Sequence, residues 1–287
     1  MSVNPAVVIA FLSAILLSFG VAIWYKVKSG VKVTCFIAGA FCFTFFALYL
    51  ESIVHSFVLN ANISLGKTIL GSPVLYMLYA AFAAGIFEET ARLVGFKVLL
   101  KNHNEKSCAY AYGIGHGGIE VFILLGGTYL VYLLASLGVP VGDETVTAQA
   151  VQVANSIPLS NAFIGILERV SAMSLHVGLS LIVFIAARVA GKMWLYPVAI
   201  LVHAIADAPA ALCQMGQINV YVMEAFAFVF GIATLFVGIR LLKNTDDAAL
   251  HTAAKAAKEK AAVKVAKEQA AKEARTSAKK KDEGKTE

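Results

Sequence analysis

Residues 161–187 read NAFIGILERVSAMSLHVGLSLIVFIAA, and their only ionisable side chains are Glu168, Arg169 and His176. A run of roughly 20 predominantly apolar residues is long enough to cross the hydrocarbon core of a bilayer as an α-helix. The segment therefore reads as a transmembrane helix that carries three titratable groups to a depth where lipid cannot solvate them. Which other segments share both properties decides the fold and the function.

Six more apolar runs occur, at about 4–25, 33–54, 72–98, 109–135, 193–213 and 218–241. The whole chain is 59% hydrophobic and only 15% charged, whereas a soluble domain is roughly 45–50% apolar. This composition excludes a soluble globular enzyme. It predicts an all-α fold, a polytopic membrane helix bundle with about seven transmembrane helices forming one integral domain over residues 1–243. The first run follows MSVNPAV, which has no basic residue, so it reads as a membrane anchor and not as a secretory leader.

Basic residues near the ends of spans are retained on the cytoplasmic side. Alternate connections hold Lys26, Lys28 and Lys32, then Lys97, Lys101 and Lys106, then Arg188 and Lys192, then Arg240 and Lys243, while the others hold only Lys67. This asymmetry predicts an N-terminus outside and a cytoplasmic C-terminus, and it agrees with an odd number of spans. Beyond Leu242 the sequence turns to Ala, Lys and Glu. Residues 244–287 read as a cytoplasmic tail, partly helical or disordered, with too few large apolar side chains to build a core. Contact of its basic excess with anionic lipid or RNA is a more elaborate reading than a solvated charge run, so no nucleic-acid partner is expected. The four cysteines, Cys35, Cys42, Cys108 and Cys213, form no CxxC spacing and read as buried free thiols.

Ionisable side chains at bilayer depth cost roughly 2.5–3.5 kcal/mol each even on lenient insertion scales, so each needs a partner or a task. The third run holds Glu88, Glu89 and Arg92 within GIFEETARLVGF; the fourth holds His116 and Glu120 within GIGHGGIEVF; the fifth holds Glu168, Arg169 and His176; the sixth holds His203 and Asp207 within HAIAD. Glu88 with Arg92, His116 with Glu120, and His203 with Asp207 are four apart, and Arg169 with His176 are seven apart, so each pair shares a helix face. At about 1.5 Å of rise per residue, Glu88, His116, Glu120, His176 and His203 fall roughly 10–20 Å from the cytoplasmic end of their spans, with Asp207 slightly deeper and Glu168 near the outer face. The common depth predicts one shared cavity, opening toward the cytoplasm or laterally into the inner leaflet. For any one pair, simple neutralisation is an equally good account; four pairs at one depth make it poorer, because Ser, Thr and Asn join membrane helices at lower desolvation cost. The glycines of GIGHGG let another backbone approach closely, and a neighbouring helix is the simplest candidate.

Two adjacent glutamates, an arginine, three histidines and an aspartate suit a hydrolase that activates water. A desolvated carboxylate can serve as general base, histidines can donate to a developing oxyanion, and an arginine can hold the second carboxylate ionised. No serine or cysteine lies in a nucleophile context, so a covalent acyl intermediate is poorly supported. His116, His176 and His203 with Glu88 could equally bind a divalent metal such as zinc, and without an HExxH motif the sequence leaves open whether the cofactor is none or a metal.

EETAR in one helix, GIGHGGIE in the next, a histidine following ER, and HAIAD in a later helix resemble the YhfC-type membrane peptidases. The resemblance extends to the wider group of CAAX prenyl endopeptidase and bacteriocin-processing proteins, PrsW-type proteases and the Aph-1 scaffold subunit of gamma-secretase, and it spans roughly residues 1–243. Glu88, Glu89 and Arg92 match the group's first motif, with the arginine spaced as in the PrsW pattern; Tyr112 with His116 resembles the aromatic-x-x-x-His motif, for which His176 competes; His203 with Asp207 resembles the terminal motif. The resemblance implies an intramembrane endopeptidase of the bacterial plasma membrane, with Glu88 as base on water. The role set expected here is Glu89 and Arg92 as its orienting pair, His176 and His203 as oxyanion donors, Asp207 fixing His203, and His116 with Glu120 as the second wall. Its partners would be the lipid bilayer and a membrane-embedded or lipid-linked protein or peptide substrate. Two rival classes use the same residues: a proton-coupled transporter, for which the sequence lacks a convincing internal repeat, and a non-catalytic scaffold.

Overall fold

The computed structural model describes residues 3–253 together with 255, 256, 259, 262 and 263. Seven of its helices are long and apolar enough to cross a membrane: α1 Pro5–Ser29, α2 Val33–Val58, α4 Pro73–Leu99, α5 Lys106–Ser136, α7 Leu159–Arg188, α8 Leu195–Gln214 and α9 Val220–Lys243. Two shorter helices, α3 Ser64–Leu70 and α6 Glu144–Ser156, lie in the connections, and no strand occurs among the described residues. The fold class is thus the expected all-α bundle with seven spans. The expectation for the tail past residue 263 lies outside the described residues.

Helix starts follow local chemistry. Asn4 accepts from the Ala6 amide and precedes Pro5, whose missing N–H costs nothing in a first turn. Its side-chain amide also donates to the carbonyls of Ala154 and Ile157, which ties the start of α1 to the end of α6. Ser72 accepts from the Leu75 amide at the start of α4, and Asn219 accepts from the Tyr221 amide at the start of α9.

The segment that opened the sequence reading becomes the centre of the bundle. In α7, 89% of the most apolar window is buried, against 22–39% in the other six spans. Small residues make this possible, because a Cβ on Gly178 would stand 2.6 Å from the Thr234 carbonyl oxygen and one on Gly231 2.5 Å from that of Ser171. The GIGHGG glycines do the same for α5: an added Cβ on Gly115 would lie 2.1 Å from the Phe36 carbonyl oxygen of α2, and one on Gly113 2.7 Å from Val177 Cα of α7. A neighbouring helix therefore fills the space those glycines leave.

At the end that carries the basic residues, Arg188 gathers the connections. Its Nη2 donates to the carbonyls of Phe96 and Leu100 at 2.9 and 2.6 Å, and its Nε donates to that of His103 at 3.0 Å. These carbonyls belong to the π-type last turn of α4 and the loop after it, where intrahelical donors run out. Arg188 counted in the sequence reading only as a topology marker; here it is a helix cap. The cysteine expectation is corrected at the same end. Cys35 and Cys108 are joined by a disulfide, while Cys42 and Cys213 are free. Spacing gave no hint because the two residues are 73 apart and meet only when α2 packs on α5.

Candidate active site

Four helices bring every residue singled out as a site candidate to one place. The hub is Glu88, on α4. Its Oε2 lies 2.9 Å from His116 Nε2 on α5, 3.6 Å from His176 Nδ1 on α7 and 3.6 Å from Arg92 Nη2. Its Oε1 lies 3.7 Å from His203 Nε2 on α8 and makes no hydrogen bond with any described residue. Glu89 meets the same two partners through their other nitrogens: its Oε1 accepts from Arg92 Nη1 and from His203 Nδ1, both at 2.6 Å. Both Glu89 and Arg92 have no solvent exposure. Such a pair is stable only because each member is charge-compensated and hydrogen-bonded.

These contacts fix the histidine tautomers. Arginine has no acceptor, so the 2.6 Å contact between Arg92 Nη2 and His176 Nδ1 makes that nitrogen the acceptor. His176 then carries its proton on Nε2, the nitrogen that stands against Glu120 Oε2 as an ion-pair contact. No N–H of His176 remains for the cavity, and the oxyanion-donor role expected of it does not fit this geometry. His203 donates from Nδ1 to Glu89, which leaves Nε2 facing Glu88 and, at 3.3 Å, Asp207 Oδ2. His116 Nδ1 is buried without a partner.

Glu120 is more than a wall residue. Its Oε2 stands against His176 Nε2, and its Oε1 accepts, at 2.6 Å, from Arg169 Nη1, while Arg169 Nη2 donates to Glu168. Arg169 appeared in the sequence reading without a role, and its position seven residues before His176 was the available signal. Three further groups were missed. Ser180 accepts from Arg92 Nε at 3.3 Å. Glu224, on α9, is buried with Oε2 unpartnered. Glu51 is buried in α2 and lies 3.2 Å from His55 Nε2. The Glu51–His55 pair has the same four-residue spacing as the others, so the sequence did contain its signal; Glu224 stands alone on its helix and had none.

Tyr112 is not a cavity residue. Its hydroxyl donates to the Ala91 carbonyl at 3.1 Å and its ring packs 4.5 Å from that of Phe96, so it wedges α5 against α4 below the cluster.

A cavity of about 170 Å³ borders Glu88, His176 and His203, which leaves room for several water molecules. Its lining does not extend toward the basic end, where the sequence reading placed its mouth. From the cluster it runs past Glu168 and Asp207 to Met223 in the first turn of α9, toward the end of the bundle opposite the basic connections. Periodicity along single helices sets the depth of each residue, but the course of a cavity depends on how the helices pack against one another.

The donor set fits a divalent cation. Glu88, His116 and His176 offer ligand atoms that all lie within 4.8 Å of one another, each residue buried. Glu120 on His176 and Glu89 on His203 are the outer carboxylates that orient metal-binding imidazoles. With neutral histidines, the five carboxylates of Glu88, Glu89, Glu120, Glu168 and Asp207 face the two guanidiniums of Arg92 and Arg169. The cluster keeps an excess of negative charge, which favours a cation. A cation at His176 Nδ1 would displace the Arg92 contact there.

The fold and this cluster define a multi-pass helical membrane protein with a buried carboxylate–histidine centre. Residues 13–229 match the YhfC intramembrane metalloprotease family, and the chain belongs to that family. It is also 32% identical over 216 residues to the uncharacterized membrane protein YhfC of Bacillus subtilis (strain 168), an alignment covering 72% of this chain and 83% of the relative. No solved structure matches the chain.

Proposed function

We infer that the chain is an intramembrane endopeptidase of the bacterial plasma membrane, hydrolysing peptide bonds of membrane-associated proteins or lipid-linked peptides with Glu88 as the base on water. One observation carries this reading. Glu88 borders a cavity large enough for water, and its Oε1 accepts no hydrogen bond from any described residue and stands 3.7 Å from a histidine nitrogen.

In this reading Oε1 takes a proton from water as its oxygen bonds to the scissile carbonyl carbon, then passes that proton to the leaving amine as the C–N bond breaks. His116 and Arg92 hold Oε2, so the carboxylate keeps one orientation. His203, when protonated on both nitrogens, donates from Nε2 to the developing oxyanion in place of its 3.3 Å contact with Asp207, while Glu89 on Nδ1 keeps the ring in position. Glu120 and Arg169 fix His176 and, through it, Arg92. A divalent metal such as zinc, held by His116, His176 and Glu88 with His203 beside them, would supply Lewis acidity toward water and the scissile carbonyl. With the basic connections on the cytoplasmic side, the cavity mouth faces the outer half of the bilayer and receives substrate from there.

The test uses the protein purified in detergent with a candidate membrane substrate, comparing wild type with Glu88→Gln, with and without chelator. Cleavage should fall by at least about 10²-fold in the variant, the low end for general-base removal. Loss on chelation with recovery on added zinc assigns the metal. Cleavage that survives Glu88→Gln would end the reading.

A further inference from the structure

A second set of metal-binding side chains lies outside the proposed active site, at the basic end of the bundle. Cys35 in the first turn of α2, Cys108 in the first turn of α5, and His103 and Glu105 in the loop before α5 place one ligand atom each within 4.8 Å of all the others. We propose that, when the Cys35–Cys108 disulfide is reduced, the two thiolates together with His103 and Glu105 bind a zinc ion that clips α2 and the α4–α5 loop to the start of α5.

The chemistry of the donors selects the ion. Two thiolates, an imidazole and a carboxylate are a four-ligand set for tetrahedral zinc, while calcium and magnesium take oxygen ligands. The site is built and not accidental, because the loop that supplies half of it is pinned. Arg188 holds the His103 carbonyl at 3.0 Å, and His103 Nδ1 lies 2.5 Å from Glu105 Oε1. Both sulfurs are buried, while the side chains of His103 and Glu105 are 15% and 44% exposed and offer an ion its way in.

The redox step balances. A low-molecular-weight cellular thiol supplies two electrons and two protons to the disulfide and is itself oxidised to a disulfide; zinc then displaces the two thiol protons. The positive-inside rule assigns this end, with its four basic connections, to the cytoplasm, where thiols are kept reduced. Cys108 sits two turns before His116 on the same helix, so the clip would steady the helix that presents His116 and Glu120. The proposal stands apart from the peptidase reading and survives its failure.

The experiment titrates cobalt(II) into the full-length, thiol-reduced protein in detergent and follows thiolate-to-cobalt charge-transfer absorption in the near ultraviolet. The His116→Ala/His176→Ala variant should keep the band, since the other cluster has no thiolate. Cys35→Ser and Cys108→Ser should lose it, and His103→Ala, a loop change, should weaken binding by at least about tenfold. Zinc should raise the Tm of the reduced wild type and leave that of His103→Ala unmoved. Absence of the band in reduced wild type overturns the proposal without reference to how any variant folds. So does alkylation trapping that finds the cysteines still bridged in growing cells, or a band that persists in both serine variants.

Discussion

Arg92 and Arg169 anchor two networks of the same chemistry in different surroundings. Arg92 and its partner Glu89 have no exposure, and Arg92 also reaches Glu88, His176 and Ser180. Arg169 bridges Glu120 to Glu168, whose side chain is 42% exposed at the cavity wall. A guanidinium paired in a dry interior holds a fixed geometry, because breaking it strands a charge. One paired at a mouth is screened and can exchange partners. The inner network thus suits positioning, and the outer network suits a boundary that opens.

That contrast can be broken at either end. Arg92→Met should be the most damaging, at about 3–5 kcal/mol, since it leaves the Glu89 carboxylate buried without a cation. Thermal unfolding in detergent reads the loss, and Glu89→Gln/Arg92→Met should recover part of it. If the double variant is as unstable as the sum of the singles, the two residues are not coupled. Gly115→Ala comes next, at about 1–3 kcal/mol, because its Cβ would meet the Phe36 carbonyl oxygen at 2.1 Å. A neutral result in the same melt would mean that α5 and α2 can move apart. The smallest effect belongs to Glu168→Gln, under about 1 kcal/mol for a partly exposed pair. A loss equal to that of Arg92→Met would show that the mouth is as dry as the interior, and the comparison would fail.

The candidate site was legible to the extent that its members advertise themselves locally. Glu88, His116 and His203 stand out because each is a titratable residue in an apolar run, paired with another four positions away. Glu51 with His55 had that signal too and was passed over. Ser180 and Glu224 had none, since a serine in a membrane helix is unremarkable and a lone glutamate has no periodic partner. The role of His176 depended on which nitrogen faces Arg92, a matter of rotamer and packing that spacing along one helix does not encode.

By itself the sequence determined the solvent of this protein, its seven crossings and the inventory of charges carried into them, because length, hydropathy and helical period are properties of neighbouring residues. Only the tertiary structure decided which charges meet. His203 reaches Glu89 across 114 positions and Cys35 reaches Cys108 across 73, and the cavity lining runs toward Met223, away from the basic end. Those contacts arise where glycine-lined helix faces let backbones approach, and the choice among helix partners is set by the packing of the whole bundle.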